Sequence, residues 1–481
     1  MRPLLKEVQT GHTPEALVEL LGARAGVVLL RSGLFESPQA RYSFVAARPF
    51  LALRSFGSQC TLTRGGHSRL QFGDPWHILD GLMARYELLD EVDLPFPLGG
   101  CFGYWGYDLK NFVEPRLTRR AVNDLELPDC HVGFYDSLVV FDHRLEKTWI
   151  VSTGLRADGS REARHARHQM EWWQERLALE REAPRWGCGP PGSAFAPATS
   201  NLSRAQFIGA VERAQRYIRA GDIYQVNLAQ RMSAAAPCGP WEFYQRLSAV
   251  SPAPFSAFLD CDDFQLASSS PEMFLRLSGS QITTRPIKGT RPRSHDPTRD
   301  AQLSYELQTS AKEMAELVMI TDLLRNDLGR VCEYGSVHVP ELVRLERYPQ
   351  VQHLVSTVEG QLRRDVTHFE ALAKCFPGGS ITGAPKFRAM DIIDELEPVT
   401  RGPYTGCLGY LGFNRESQLS ILIRTAVCLG EALYFHVGAG IVADSVAEAE
   451  HAETLAKAAG FVAALPRPAS APEPTCPTSR S

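Results

Sequence analysis

Met273-Phe-Leu-Arg-Leu-Ser-Gly-Ser-Gln-Ile-Thr-Thr-Arg285, continued by Pro286-Ile-Lys-Gly-Thr-Arg-Pro-Arg293, is the stretch from which the fold is read. Two alternating runs flank Ser278-Gly279-Ser280, a turn signal, and together they predict a β-hairpin. Folding the pair about Gly279 sets Glu272 level with Pro286, and so diagonal to Lys288 on the same face. Diagonal neighbours across a hairpin stand about 7–8 Å apart, within reach of long side chains. A carboxyl group and an amine can therefore meet at its open end. The bland outcome is a surface ion pair, which contributes little. Pro286 and Gly289 bracket the lysine closely and point instead to a restrained setting.

Working outward, helices and strands occupy separate stretches. Ser203 is placed to cap a helix whose apolar face carries Phe207, Val211 and Ala214. A long helix is predicted near Gln302–Leu328, another after Pro385, and a last one over roughly Ser445–Ala464. Upstream, Leu51–Arg54, Gln59–Leu62 and Ser137–Phe141 read as short strands, and the glycine–aromatic run Gly99–Tyr107 suits closely packed ones. A polar helical stretch, Arg161–Glu182, runs into a segment too rich in Pro and Gly to continue a helix. The expected organisation is an amino-terminal region spanning 1–183, a linker 184–201, a carboxy-terminal region spanning 202–465 and a disordered tail 466–481. Strands with helices on separate faces predict an α+β layered fold.

Composition narrows the function. The chain has 481 residues, 44% hydrophobic and 22% charged, with a formal net charge of −4. It lacks the concentrated basic field that nucleic acid or an anionic membrane requires. The run Arg291-Pro-Arg293 lies beside Asp296 and Asp300 and reads as a solvated loop. Eleven cysteines are scattered singly without a CxxC pair, which fits free thiols in a reducing compartment. No signal-like apolar stretch opens the chain, and no run approaches the roughly 20 apolar residues of a membrane span. A soluble cytoplasmic protein is expected.

Other segments carry candidate chemistry. Glu316 abuts the apolar run Leu317–Ile320, so its carboxylate needs a partner, for which Mg²⁺ is a candidate. Glu453 precedes Lys457 by four residues, the spacing of an ordinary helix ion pair. Gly378-Gly-Ser-Ile-Thr-Gly-Ala-Pro-Lys386 departs from a phosphate loop, because Ala-Pro-Lys stands where Lys-Ser/Thr is required. A glycine-rich turn feeding a helix N-terminus still suits a carboxylate ligand. The small residues of Gly438-Ala-Gly440 admit either a ligand or a closely packed strand.

Taken in order, these segments form a recognisable set. Gly221-Asp-Ile-Tyr-Gln-Val-Asn-Leu-Ala-Gln-Arg231, Ser269-Ser-Pro-Glu272, Pro286-Ile-Lys-Gly-Thr290 and the Glu316 helix come first. Gln352-His-Leu-Val-Ser356, Gly379-Ser-Ile-Thr-Gly-Ala-Pro-Lys386, Ile423-Arg-Thr425 and the run from Gly438-Ala-Gly to Glu453-Thr454 follow. The set resembles the chorismate-utilising enzymes: anthranilate synthase component I, aminodeoxychorismate synthase component I, and the isochorismate and salicylate synthases. The resemblance is dense over 202–465 and thinner over 1–183, where Phe35-Glu-Ser37 and Leu98-Gly-Gly-Cys-Phe-Gly-Tyr104 carry it. It implies one composite α/β sandwich built from both regions. It also implies Mg²⁺ held by Glu316 and Glu453 against the ring carboxylate of chorismate. Tyr404 and Arg424 would hold the enolpyruvyl carboxylate, Gly440 and Lys457 would help with the ring carboxylate, and Ser380 and His353 would lie close to the reacting ring. Phe35-Glu36-Ser37 resembles the family's tryptophan pocket, which would imply bound tryptophan as a structural or feedback ligand.

Two positions sort the branches. The isochorismate and salicylate branch carries a water-activating lysine where this chain has Gln225, so ammonia is the implied nucleophile. The anthranilate branch usually carries alanine where this chain has Lys288, and a lysine there is similar to the aminodeoxychorismate synthase branch. Replacing a ring hydroxyl by an amine with retention takes two displacements. Lys288 would attack first, with Glu272 as general acid, and ammonia would then expel the lysine. Only an unprotonated amine attacks, and a nearby metal ion with partial burial favours that form. Gly438-Ala-Gly440 and the Arg401-Gly402 approach to Tyr404 lean towards anthranilate synthases, which stand as the alternative. A non-catalytic homologue would be expected to lack Glu316, Glu453, Arg424 or Lys288, and all four are present. The chain contains no glutaminase triad segment, so ammonia is expected as free ammonium or from a separate glutamine amidotransferase subunit.

Overall fold

Among the described residues, alternating and apolar runs form strands that assemble into two twelve-stranded sheets. The computed structural model describes residues 2–22, 26–33, 40–88, 94–180, 198–236, 238–348 and 351–466. The first sheet runs Leu4–Val8, Lys147–Ser152, Ser137–Asp142, Tyr42–Ala46, Val28–Arg31, Phe255–Asp260, Phe264–Ser270, Thr425–Leu429, Ala432–Ile441, Gln225–Ala235, Thr199–Ser200, with Gly383–Ala384 also paired to Gln225–Ala235. The second runs Ile287–Pro292, Val351–Gln361, Gln281–Arg285, Met273–Ser278, Glu416–Ile421, Cys407–Gly412, Gly100–Trp105, Cys130–Tyr135, Leu51–Phe56, Gln59–Arg64, His67–Phe72, with His338–Arg347 also paired to Val351–Gln361.

Both sheets cross from the amino-terminal region into the carboxy-terminal one. Leu30 pairs with Ala257 in one sheet, and Gly103 with Gly409 in the other. The fold is therefore the composite α+β sandwich that the resemblance implied. One aromatic-rich core, with Phe44, Phe102, Tyr104, Trp105, Phe134 and Phe264, draws on strands of both sheets. A second core on the first sheet carries Trp173, Tyr244, Phe435 and Phe461, and is covered by helices Ala163–Leu177, Pro240–Val250 and Ala447–Ala464.

The predicted hairpin forms, with Met273 opposite Arg285 and Ser278 opposite Gln281, and a register shift between Met273 and Arg276. The predicted helix at Gln302–Leu328 is instead two, Pro297–Thr309 and Ala311–Gly329. Ser310 between them has extended backbone, and its hydroxyl accepts from the Glu313 N–H, so it ends one helix and caps the next. Within the expected linker, Thr199–Ser200 pairs with the strand Gln225–Ala235, while 184–197 lies outside the described residues, as does the tail beyond 466. Arg291 and Pro292 sit in a strand, and Arg293 pairs with Asp300 at 2.9 Å, so this stretch is not a solvated loop. Nine cysteines are described, all of them free thiols. Among the described residues no helix is long and apolar enough to cross a membrane.

Gly103 and Gly409 face each other where the two regions join. A Cβ on Gly409 would lie 2.0 Å from the Gln418 carbonyl oxygen, and one on Gly103 would lie 2.2 Å from that of His131. Gly409→Ala is expected to destabilise the protein by about 1–3 kcal/mol, read as a lower urea midpoint. An unchanged midpoint would show that the sheets open to admit a methyl group.

Candidate active site

The hairpin delivers a buried carboxyl group. Glu272, just ahead of the strand Met273–Ser278, is 6% exposed, so the surface ion pair is ruled out. Burial pushes its carboxyl above the ordinary range, while the Ser380 hydroxyl, the charge of Lys288 and the Ile287 N–H pull it back. The Lys288 ammonium donates to the Ser380 carbonyl at 3.5 Å. Ser380 therefore meets both groups, from the single turn Gly379–Ile381. Lys386, which ends the glycine-rich segment, instead donates to Asp327 at 2.7 Å and to the Cys375 carbonyl at 3.1 Å.

Glu316 reaches the same place from the helix Ala311–Gly329, with 14% of its side chain exposed. Burial raises its carboxyl, Lys288 and Lys312 oppose this, and Glu313 and Glu450 raise it further. Glu450 is 5% exposed and accepts from the Ser445 hydroxyl at 2.7 Å. The sequence motifs single out Glu453, one helical turn later, and leave Glu450 unmarked. Glu453 is half exposed and pairs with Lys457 at 2.7 Å, the ordinary i,i+4 contact. Lys457 also donates to the Gly438 carbonyl at 2.8 Å.

Among the described residues no three His, Cys, Asp or Glu side chains form a ligand cluster. Glu316 is a partly buried carboxylate and Glu450 a buried one, and Glu450, after Glu313, adds a like charge that raises the Glu316 carboxyl. That donor set fits Mg²⁺, which takes one or two carboxylates and keeps several waters.

His353 lies opposite Thr290 across the sheet, its Nδ1 2.9 Å from the Thr290 hydroxyl. Burial, then the charge of Arg424, lowers its pKa to about 4. Burial also lowers Arg424, and no carboxylate pairs with it among the described residues. A buried cation without a counter-ion is costly, so this position suits an anionic ligand. Arg424 and Thr405 both hold left-handed backbone, φ 50° and 61°. Such strain in a β-branched residue such as Thr405 is uncommon and concentrates at functional sites.

Tyr404 is 7% exposed, and burial moves its hydroxyl up to about 12. A Cβ on Gly438 would come within 2.9 Å of that hydroxyl, and one on Gly440 within 2.7 Å of Gln225 Nε2. Gln225 is 1% exposed, and among the described residues neither of its side-chain amide atoms has a hydrogen-bond partner. The two glycines thus keep space beside groups able to bind a ligand. Glu36 and Ser37 lie outside the described residues. Nearby in the chain, Leu30 and Ser32 line a cavity of about 40 Å³ with Tyr42, Phe44, Pro254 and Tyr410.

A family model described as chorismate binding enzyme matches residues 31–463. The chain is 40% identical over 434 residues to aminodeoxychorismate synthase component 1 of Escherichia coli, covering 89% of this chain and 91% of that protein. It is 37% identical over 475 residues to anthranilate synthase component 1 of Acetivibrio thermocellus, covering 96% and 95%. The crystal structure of anthranilate synthase component I from Streptococcus pneumoniae superposes with a TM-score of 0.77 at 32% identity, covering 88% of this chain and 93% of that one.

His353 is expected to titrate with a midpoint near pH 4, followed by NMR of its ring protons. A midpoint near the ordinary value of about 6.5 would contradict its enclosure beside Arg424.

Proposed function

The chain belongs to the chorismate-binding enzyme family, and on that premise we propose that it aminates chorismate to 4-amino-4-deoxychorismate. The contact of Lys288 with Ser380, beside the buried carboxyl of Glu272, carries this reading. Lys288, once its amine has lost a proton, attacks the ring, and the ring C–O bond breaks. Glu272 gives its proton to the departing hydroxyl, which leaves as water. A carboxyl raised by burial suits that role, because it keeps its proton to higher pH. Ammonia then forms the new C–N bond where the hydroxyl left, and the Lys288 bond breaks to return the free amine. Retention follows from the two displacements, and the pyruvyl group stays on the ring.

Arg424 and Tyr404 receive the enolpyruvyl carboxylate, and the Gly440 backbone and Lys457 help to receive the ring carboxylate. His353, neutral at pH 7, and Ser380 flank the ring without adding charge. Glu316 with Glu450 or Glu453 would hold Mg²⁺, which when bound supplies positive charge beside the ring carboxylate and the leaving oxygen. Gln225 lacks a basic amine, which favours ammonia over activated water. The source of ammonia is a glutamine amidotransferase subunit, as the component 1 names of the relatives suggest. A tryptophan pocket at Glu36 and Ser37 rests on the resemblance alone, because both lie outside the described residues.

The second reading, anthranilate formation, is favoured by Gly438-Ala-Gly440 and by relatives of that name at 37% and 39% identity. Product identity separates the two. With chorismate, Mg²⁺ and ammonium, mass spectrometry is expected to find aminodeoxychorismate with its pyruvyl group retained. Fluorescent anthranilate with free pyruvate would overturn the proposal in favour of the second reading.

The metal assignment has its own test. Glu316→Gln and Glu450→Gln are each expected to weaken Mg²⁺ binding about tenfold or more, measured by calorimetry without turnover. Unchanged binding in both would remove these carboxylates from the metal site.

A further inference from the structure

Successive side chains alternate between the faces of a strand, so His436, Gly438 and Gly440 share one face of Ala432–Ile441. Tyr404 lies along that face. Its ring stacks on the His436 imidazole with centroids 4.9 Å apart and planes 11° from parallel. Its hydroxyl sits over Gly438, where any Cβ would intrude to 2.9 Å. The imidazole therefore fixes the plane of the ring, and the glycine leaves a slot for the phenol oxygen. Arg401 adds a second support, its guanidinium carbon 5.5 Å from the centre of the same ring.

Chemistry makes histidine a suitable wall. Burial, reinforced by the charges of Arg231 and Arg401, keeps the imidazole neutral, with Asp124 opposing weakly. A neutral ring stacks on tyrosine without drawing an incoming carboxylate away from the hydroxyl. Beside the stack lies a small cavity of about 20 Å³, lined among others by Thr425, Arg231 and Tyr434. Shortening His436 would enlarge it and free the tyrosine to swing.

We propose that His436 is a positioning residue, which holds the Tyr404 ring in the orientation that presents its hydroxyl to a carboxylate of the substrate. The proposal rests on the reading of Tyr404 as a carboxylate-binding residue, and the test separates the two. Steady-state KM and kcat for chorismate are compared in Tyr404→Phe, His436→Ala, His436→Gln and His436→Phe, with thermal unfolding by circular dichroism as the check on folding. An aromatic stack of this kind supports a change of about three- to tenfold. His436→Ala and His436→Gln are expected to raise KM by that factor with kcat within about twofold, and His436→Phe to restore it. In the Tyr404→Phe background the His436→Ala change is expected to add nothing further, the signature of coupled residues.

If Tyr404→Phe leaves KM unchanged, the reading of Tyr404 falls, and the inference with it. If Tyr404→Phe raises KM but folded His436→Gln and His436→Ala do not, the inference alone is overturned. Should His436→Ala fail to fold, His436→Gln against His436→Phe decides the same question. Equal KM values in that pair would reject positioning by a ring.

Discussion

A guanidinium enclosed away from water must satisfy five N–H donors at once, and Arg401, 2% exposed, meets that demand with acceptors from separate segments of the chain. Two donors go to Glu397 at 2.8 and 2.6 Å, one to the Asn227 carbonyl at 2.8 Å, and two to the Ile381 carbonyl and the Thr405 hydroxyl at 3.2 Å. Glu397 in turn accepts from the Ala229 N–H at 2.9 Å. One cation thereby fixes the turn that holds Ser380, the strand that holds Gln225, and the strained bend at Tyr404–Thr405. Removing one partner of such a pair costs about 3–5 kcal/mol, because the other charge is left buried and unpaired. The walls of the site are consequently set together.

Within those walls the charges do not cancel. Among the described residues Arg424 is a cation without a carboxylate partner, and the Glu316 carboxyl feels the like charges of Glu313 and Glu450. Each imbalance is a request for an opposite charge from outside the chain. A substrate with two carboxylates and a divalent cation would answer all of them. Chorismate, the substrate of the family, carries two carboxylates. The buried Glu272 stands apart from this pattern, since desolvation favours its neutral form, the form a proton donor needs.

Legibility in the sequence follows the range of the interaction. The hairpin about Gly279 and the capping of the helix at Ser203 are readable because turn and cap chemistry acts over a few residues. The break at Ser310 carries a signal as well, Ser310 three residues before Glu313, but continuous apolar spacing masks it. The pairing of Leu30 with Ala257 spans more than two hundred residues and leaves no local mark, so the composite sheets follow from the resemblance alone. Glu450 is hidden because the resemblance assigns the metal-binding carboxylate to Glu453, one turn further on, and burial on that helix has no local mark. His436 and Arg401 gain their meaning only when the Tyr404 bend folds back over the strand Ala432–Ile441.

Covalent chemistry at Lys288 is the most exposed element of the picture, and intact-protein mass spectrometry addresses it directly. Incubation with chorismate and Mg²⁺ in the absence of ammonium should add the mass of chorismate less one water to the chain. Peptide mapping should place that mass on Lys288, and added ammonium should discharge it as product. A chain that forms aminodeoxychorismate with ammonium, never carries the adduct, and still turns over as Lys288→Ala would contradict the lysine's role as nucleophile.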